Sequence, residues 1–323
     1  MKAMFTTLAV AALALPLGIV HAQDYPTKPV RIIVPFTAGG LADVLARAVG
    51  DELGRKWNTP VYVENRPGAG TMIGGEATAK AAPDGYTLLL ANDATLSSNQ
   101  FIYNKVPYDS VKGFTPIINM ANSPIALITA KEFPAKTVAE LVSYASKNPG
   151  KVNYGSFGIG STAHVDAHSF MALTGTQMNH IPYKGVSEVM VALGGNYVQI
   201  AFTGVPPALP FAKDGKVRML AISGAKRSPI FPDVPTFAEA GFGGFFAAPW
   251  FGLAGPAGMP RNIVDKIATD VSAVISQPAF QKAYVTGVGL ELLNEGPDQF
   301  AAFLARDRAN YAEKMGRLGI KLD

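Results

Sequence analysis

Two glycine-rich segments have the composition of anion-binding loops. The first is Phe-Thr-Ala-Gly-Gly at residues 36–40, and the second is Gly-Ser-Phe-Gly-Ile-Gly-Ser-Thr-Ala-His at residues 155–164. Each follows an apolar, strand-like run and precedes a helical pattern, so its last residues provide the unpaired N–H groups of a helix start. Glycine also lets the backbone approach a ligand closely. Because neither segment contains Lys or Arg, an anion would be held by amides, hydroxyls and ordered water.

Each segment also has a simpler interpretation, a tight strand-to-helix turn that binds nothing. Their occurrence in different halves of the chain favours binding, because two such loops facing each other would hold one small anion from both sides. The second segment lacks the lysine of a phosphate-binding loop, so a nucleotide is not expected there.

Catalytic and metal-binding alternatives rest on Ser161, His164 and His168. Ser161 and His164 could form the nucleophile and base of a secreted hydrolase, but the Gly-x-Ser-x-Gly pattern and an orienting acid are missing. His164 and His168 have the four-residue spacing of zinc ligands, without a clear third ligand. The chain has no cysteine, which excludes a thiol nucleophile and a Cys-ligated zinc. We therefore predict binding without catalysis, cofactor or metal, and keep the hydrolase as the alternative.

Three further features are interpreted as structural. Asp43 lies in the first turn of a predicted helix, where it favours the helix start. Residues 66–70, Arg-Pro-Gly-Ala-Gly, are interpreted as a surface turn, and the pair Trp250-Phe251 as packing at a hinge.

The elements that position the loops alternate between strands and helices. The first unit reads as a strand at 29–36, a helix at 41–56, a strand at 60–64, a helix at 71–81 and a strand at 86–91. This βαβαβ order is typical of a mainly parallel sheet with helices on its faces.

A second unit has the same alternation. Its predicted helices are at 137–148, 162–173, 187–193 and 206–213, and its predicted strands at 152–156, 178–183, 198–203 and 217–223. From residue 260 onward the pattern is mostly helical, with a possible strand at 290–293.

Two extended segments, 114–130 and 245–255, could cross between these units. The expected fold class is therefore α/β with two lobes, two crossover strands at a hinge, and a cleft between the lobes. We place the first lobe at residues 23–119 plus 250–323 and the second at 120–249. A ligand would bind at the strand ends that face the cleft.

The N-terminus reads as a secretory signal peptide at residues 1–22. Lys2 precedes an apolar run at 8–20, which is shorter than the roughly 20 residues that a spanning helix needs; a membrane anchor is the alternative. The formal charge of +4 is too small and too dispersed to indicate nucleic acid. These features predict an exported protein.

Several blocks together resemble one known family across nearly the whole mature chain. They are Tyr-Pro-Thr-Lys-Pro-Val-Arg-Ile-Ile-Val-Pro-Phe at 25–36, Glu-Asn-Arg-Pro-Gly-Ala-Gly at 64–70, Ala-Pro-Asp-Gly-Tyr-Thr-Leu at 82–88, Pro-Tyr-Lys-Gly at 182–185, Ala-Lys-Arg-Ser-Pro at 225–229, Pro-Asp-Val-Pro-Thr at 232–236 and Trp-Phe-Gly-Leu at 250–253. The chain resembles the Bug, or TctC-like, receptors of tripartite tricarboxylate transporters.

The resemblance implies a monomeric periplasmic binding protein of the type II-like architecture, which closes on a small carboxylate and passes it to membrane permease subunits. It implies a site in both loops, with bridging waters. The site residues carried over from the family are Phe36, Ala38, Gly39, Gly40, Asn92, Ser156, Gly160, Ser161, Thr162 and His164.

The sequence departs from the family at a few positions. Ala38 stands where the family commonly has Pro, and Leu41 where it commonly has a small residue. Thr203, a further predicted ligand-binding residue, stands where the family often has an Asp that can meet an amino group, which disfavours an amino-acid ligand. An organic or aromatic carboxylate is favoured, with mono- and dicarboxylates both open, and a sensor that reports to a signalling protein stays an alternative to a transport receptor.

Overall fold

The computed structural model describes residues 25–158, 161–224, 226–245, 247 and 249–318. The predicted signal peptide at 1–22 and the predicted site residue Gly160 lie outside the described residues.

Strands and helices alternate through most of the chain. The strands are β1 Val30–Val34, β2 Val61–Asn65, β3 Thr87–Asn92, β4 Phe114–Asn122, β5 Ile125–Ala130, β6 Asn153–Ser156, β7 Asn179–Pro182, β8 Ile200–Gly204, β9 Val217–Ile222, β10 Trp250–Pro256 and β11 Glu291–Glu295. The α-helices are α1 Leu41–Trp57, α2 Met72–Ala79, α3 Asn99–Ile102, α4 Val138–Lys147, α5 Thr162–Thr174, α6 Val186–Gly194, α7 Val205–Lys213, α8 Arg261–Ile275, α9 Pro278–Tyr284 and α10 Pro297–Leu318.

The first lobe is built on a six-stranded sheet with the order β11-β4-β10-β3-β1-β2. The continuous apolar run of β1 is explained by burial on both faces, since successive side chains of a strand point to opposite sides. Ile32 contributes to one buried cluster, together with residues of α1 and α8. Ile33 contributes to another, with Trp250 and Phe300. Helices therefore cover both faces of this sheet.

The second lobe is built on a five-stranded sheet with the order β7-β6-β8-β5-β9. Its core contains an aromatic cluster in which Phe237 and Phe245 have ring centroids 4.2 Å apart. Phe170, on α5, packs against Phe202 of β8 with centroids 5.6 Å apart. These contacts fix α5, whose N-terminus follows the second glycine-rich segment.

The predicted α/β class with two lobes is confirmed, but the pairing within each sheet is mixed and not mainly parallel. In the first sheet β1 pairs parallel with β2 and β3, whereas β10 is antiparallel to β3 and β4. In the second, β5 is antiparallel to β8 and β9. The reason is topological: β10 and β5 each enter their lobe from the hinge, so they run against neighbours that lead toward it.

The two lobes are joined by two crossovers that lie side by side. The first passes through Ser123, whose N–H donates to the carbonyl of Pro249 in the second crossover at 2.7 Å. Ser223 N–H donates to Ile125 carbonyl at 2.8 Å, and Ile125 N–H donates to Ser223 Oγ at 2.8 Å. Ser223 Oγ also donates to the carbonyl of Ala247. The hydrogen bonds make the crossovers one shared hinge.

Candidate functional site

A cleft of about 390 Å³ lies between the two lobes. The first lobe contributes Phe36, Gly70, Thr71, Ala94, Ser98, Asn99, Ile102, Tyr103, Tyr311 and Lys314 to its lining, and the second contributes Phe157, Ser161, Thr162, Val165 and Asp166. The predicted site residues Phe36, Ser161 and Thr162 are thus brought together at one cavity, although they come from different lobes.

The N-terminus of α5 opens into this cleft. Ser161 is its N-cap: Ser161 Oγ accepts the N–H of His164 at 3.4 Å and donates to the carbonyl of Gly158 at 2.6 Å. The first turn of this 13-residue helix contains no acidic side chain. Amide N–H groups and the helix dipole therefore favour an external anion at Thr162. The hydroxyl of Ser161 is used as a cap, which is not the arrangement of a nucleophile bonded to an imidazole base.

The N-terminus of α1 already has a carboxylate from the chain itself. Asp43 Oδ2 accepts the N–H of Gly39 at 2.8 Å and the Arg47 Nε–H at 3.0 Å, and Asn65 Nδ2 donates to Asp43 Oδ1 at 2.8 Å. Burial would raise the pKa of Asp43, but hydrogen bonds from Arg47, Gly39 and Asn65 outweigh it and lower the pKa to about 2. The positive end of the α1 dipole is therefore already neutralised by Asp43, as the position of this residue in the first helical turn suggests. The N-terminus of α5 has no such carboxylate and is the better site for an external anion.

Four other predicted site residues are buried and are not part of the cleft lining. Asn92, at the end of β3, donates to Thr95 Oγ1 at 2.9 Å and accepts the Thr95 N–H at 3.1 Å. Thr203 lies in β8 opposite Ala126. Ser156 and His164 belong to a histidine cluster described below. Ala38, Gly39 and Gly40 form the loop next to Phe36 and are likewise absent from the lining.

A turn that we interpret from sequence as a surface feature forms part of the cleft wall. Ala69, Gly70 and Thr71 have φ values of 47°, 59° and 77°, a left-handed run that is strained for the two residues with side chains. Asn99 Nδ2 donates to Gly70 carbonyl at 2.7 Å, and Thr95 Oγ1 donates to Thr71 Oγ1 at 2.8 Å. The Gly-Ala-Gly pattern at residues 68–70, before a helix, is the sequence feature that could have predicted this turn.

Helix α10 brings residues that sequence reasoning missed. Tyr311 OH donates to Asp93 Oδ2 at 2.8 Å. Burial raises the pKa of Asp93 to about 6, although the Tyr311 hydrogen bond opposes the shift. Lys314, one turn further along, donates to Asp166 Oδ1 of α5 at 2.8 Å and so bridges the lobes. The three-residue spacing places Tyr311 and Lys314 on one face of α10.

Three histidines pack together behind the second loop. The ring of His164 lies 4.6 Å from that of His168 and 4.4 Å from that of His180, centroid to centroid. His180 Nε2 is 2.6 Å from Ser156 Oγ, which in turn accepts the N–H of Gly158 at 3.2 Å. Neutral imidazoles therefore support the loop that precedes α5.

This cluster predicts a loss of stability in mild acid. Burial, followed by the charges of His180 and His168, lowers the pKa of His164 to about 4 from its usual 6.5. Since the unfolded chain binds this proton near pH 6.5 and the folded chain does not, stability is complete above pH 6.5 and falls toward pH 4. We expect a decline on the order of 2–3 kcal/mol, measured by urea unfolding at pH 7, 6 and 5.

The variant His164→Gln is the control for this pH effect, because glutamine does not titrate. Its unfolding free energy should be flatter between pH 7 and 5 than that of the parent protein. Equal pH slopes in the two proteins would contradict the assignment.

In the part of the chain that the structure describes, no helix combines the length and the apolar character needed to cross a membrane. No group of three or more His, Cys, Asp or Glu side chains among those residues is arranged to hold a metal ion.

Comparison with known proteins gives consistent matches. The TctC family model, described as tripartite tricarboxylate transporter family receptor, matches residues 45–319. Protein BugT of Bordetella pertussis is 34% identical over 316 residues, or 98% of this chain and 96% of that protein. The solved structure of R. palustris Rpa4515 with adipate has a TM-score of 0.83 at 32% identity, covering 93% of this chain and 100% of that one. MatC from Rhodopseudomonas palustris with bound malate has a TM-score of 0.78 at 29% identity, covering 90% and 100%.

Proposed function

Because this chain belongs to the family of tripartite tricarboxylate transporter receptors, we propose that it captures a small carboxylate in the cleft between its lobes. The lobes close on the ligand about the paired crossovers, and the closed form delivers it to membrane permease subunits. The protein acts as a monomeric binding protein in the periplasm after removal of residues 1–22, and it catalyses no reaction.

The observation that carries this proposal is the open N-terminus of α5. Ser161 and Thr162 present it to the cleft, and its first turn has no acidic side chain of its own. A ligand carboxylate can therefore accept N–H groups there without displacing a protein carboxylate. We propose that Phe36, Ser161 and Thr162 contact the ligand directly.

We propose that most of the remaining predicted site residues position these three without touching the ligand. We propose that Ser156 and His164 hold the second loop in shape and that Asn92 fixes the turn after β3. Ala38, Gly39 and Gly40 place Phe36, while Asp43 occupies the adjacent helix start. Gly160 stays the ligand-binding residue that the resemblance implies.

The residues that line the cleft indicate the chemical character of the part of the ligand beyond its carboxylate. Phe36, Phe157, Ile102 and Val165 supply apolar surface between the polar groups. An aliphatic chain or an aromatic ring would fit such walls. The adipate and malate named with the two R. palustris structures make carboxylates the first compounds to test.

Ligand binding should be visible as thermal stabilisation of the mature protein. A compound present at one hundred times its dissociation constant stabilises the folded state by roughly 2.7 kcal/mol. We expect at least one of adipate, malate, benzoate, 4-hydroxybenzoate and 6-hydroxyhexanoate to raise the melting temperature in differential scanning fluorimetry. The matching amides and alcohols serve as uncharged controls, and equal shifts with these controls would contradict a carboxylate site.

A further inference from the structure

We propose that Asp166 and Lys314 form a second polar subsite in the cleft, which recognises a hydroxyl group on the ligand remote from its carboxylate. The inference rests on the proposed function and makes it more specific: the ligand is a hydroxylated carboxylate, whose hydroxyl donates to Asp166 Oδ2.

The subsite is an ion pair between the lobes. Lys314 Nζ of α10 lies 2.8 Å from Asp166 Oδ1 of α5, and the two side chains are 12% and 5% exposed. Both residues line the same cleft as Ser161 and Thr162. The pair therefore lies within reach of a molecule bound at the α5 N-terminus.

The second oxygen of Asp166 indicates a ligand. Asp166 Oδ2 is buried and has no hydrogen-bond partner among the residues that the structure describes. A buried acceptor without a donor destabilises the fold, because it has lost its hydrogen bonds to water without replacing them. Since Lys314 holds the other oxygen, Asp166 is oriented in advance, and a donor that enters the cleft can complete its hydrogen bonding.

The charge of the pair favours a hydroxyl over an ammonium group. Lys314 already neutralises Asp166, and the neighbouring Asp93 already accepts the hydroxyl of Tyr311. An ammonium group would bring a second positive charge next to Lys314. A neutral hydroxyl supplies the missing donor without that repulsion.

The position of Asp166 on α5 sets the distance between the two ligand groups. Thr162 and Asp166 are four residues apart and lie on one helix face, about one 5.4 Å turn from each other. Allowing for a hydrogen bond at the helix start, the carboxylate and the hydroxyl should be separated by roughly 5–8 Å. This spacing suits a para-substituted benzoate or a chain with a terminal hydroxyl, and not a hydroxyl next to the carboxylate.

Isothermal titration calorimetry with matched compounds tests the subsite. We expect 4-hydroxybenzoate to bind at least tenfold more tightly than benzoate, or 6-hydroxyhexanoate at least tenfold more tightly than hexanoate. The isomer 2-hydroxybenzoate should show no such gain over benzoate. These comparisons use the unmodified protein, so they hold even if a variant does not fold.

The double variant Asp166→Ala/Lys314→Met removes both partners, which avoids leaving one buried charge alone. Its ratio of affinities for the hydroxylated and plain compounds should fall from at least ten to about one. The matched control is Asp214→Ala/Lys216→Met, which removes an ion pair whose side chains are each 60% exposed; the ratio should stay unchanged.

The outcomes separate this inference from the proposed function. Binding of the plain and hydroxylated compounds with equal affinity overturns the subsite and leaves carboxylate capture in place. Tighter binding of 4-(aminomethyl)benzoate than of 4-hydroxybenzoate overturns the assignment of a hydroxyl. Absence of binding by every carboxylate tested overturns the proposed function itself.

Discussion

Replacing Thr162 with glutamate should abolish carboxylate binding while the protein stays folded. The new side chain places a negative charge at the first residue of α5, where the ligand carboxylate is proposed to lie. Two such charges about 4 Å apart repel by about 4 kcal/mol at an effective dielectric constant near 20. We expect an affinity loss of at least 100-fold for whichever carboxylate stabilises the unmodified protein, measured by calorimetry.

The same substitution should not lower stability, because a carboxylate at a helix N-terminus is favourable by about 0.3–1 kcal/mol. Opposite effects on affinity and on stability distinguish electrostatic exclusion from misfolding. Thr162→Gln has the same size without the charge and should retain most of the affinity. Asn262→Glu puts an acid into the first turn of α8, which has none, and should leave binding unchanged. Full affinity in Thr162→Glu would rule out the α5 end as the carboxylate site.

Replacing Trp250 with alanine should cost about 3–5 kcal/mol of unfolding free energy. Trp250 is completely buried at the start of β10, and its ring packs against Phe300 and Phe303 of α10 with centroids 5.2 and 5.7 Å away. Its Nε1–H donates to Asp307 Oδ2 at 2.9 Å. The truncation therefore leaves a cavity and takes a donor from a buried carboxylate. Urea unfolding followed by circular dichroism would measure the loss.

The Trp250→Ala substitution should also affect the cleft. Trp250 and Asp307 hold α10 against the sheet, and α10 contributes Tyr311 and Lys314 to the cleft lining. Trp250→Phe preserves most of the packing and should be milder than alanine. Val191→Ala, at a side chain 68% exposed, is the control for loss of apolar surface and should change stability little. Trp250→Ala with unaltered stability would contradict the described packing.

Local patterns predict most elements of this fold, but not the directions of all strands. The apolar run of β1 and the periodicity of α1 are local signals, and the structure confirms both. The orientation of β10 depends on where the chain returns from the second lobe, about which its own residues carry no information. The sequence therefore suggests a mainly parallel sheet, and the crossovers make it mixed.

The residues of the candidate site also differ in whether a local sequence pattern predicts them. Ser161 and Thr162 are recognisable because a hydroxyl residue after glycines precedes a helical pattern. Asp166 and Lys314 are 148 residues apart, and no spacing rule connects them. Asp43 shows the value of local chemistry, since an aspartate in the first helical turn predicts a favourable interaction with the helix start, and the structure shows it accepting the N–H of Gly39. His180 could not be associated with His164 until β6 and β7 paired.

The paired crossovers also make the second lobe an insert with adjacent ends. The chain enters this lobe at Ser123 and leaves it at Pro249, and the Ser123 N–H donates to the Pro249 carbonyl at 2.7 Å. A domain whose two ends are adjacent can be replaced by a homologous domain without changing the path of the remaining chain. Such an exchange would replace α5 and Asp166 together and keep Lys314 in place. Recombination among homologous genes could thus alter ligand choice in a single step, provided that the new α5 fits Lys314 and the buried cluster that Val165 forms with Tyr311 and Met315.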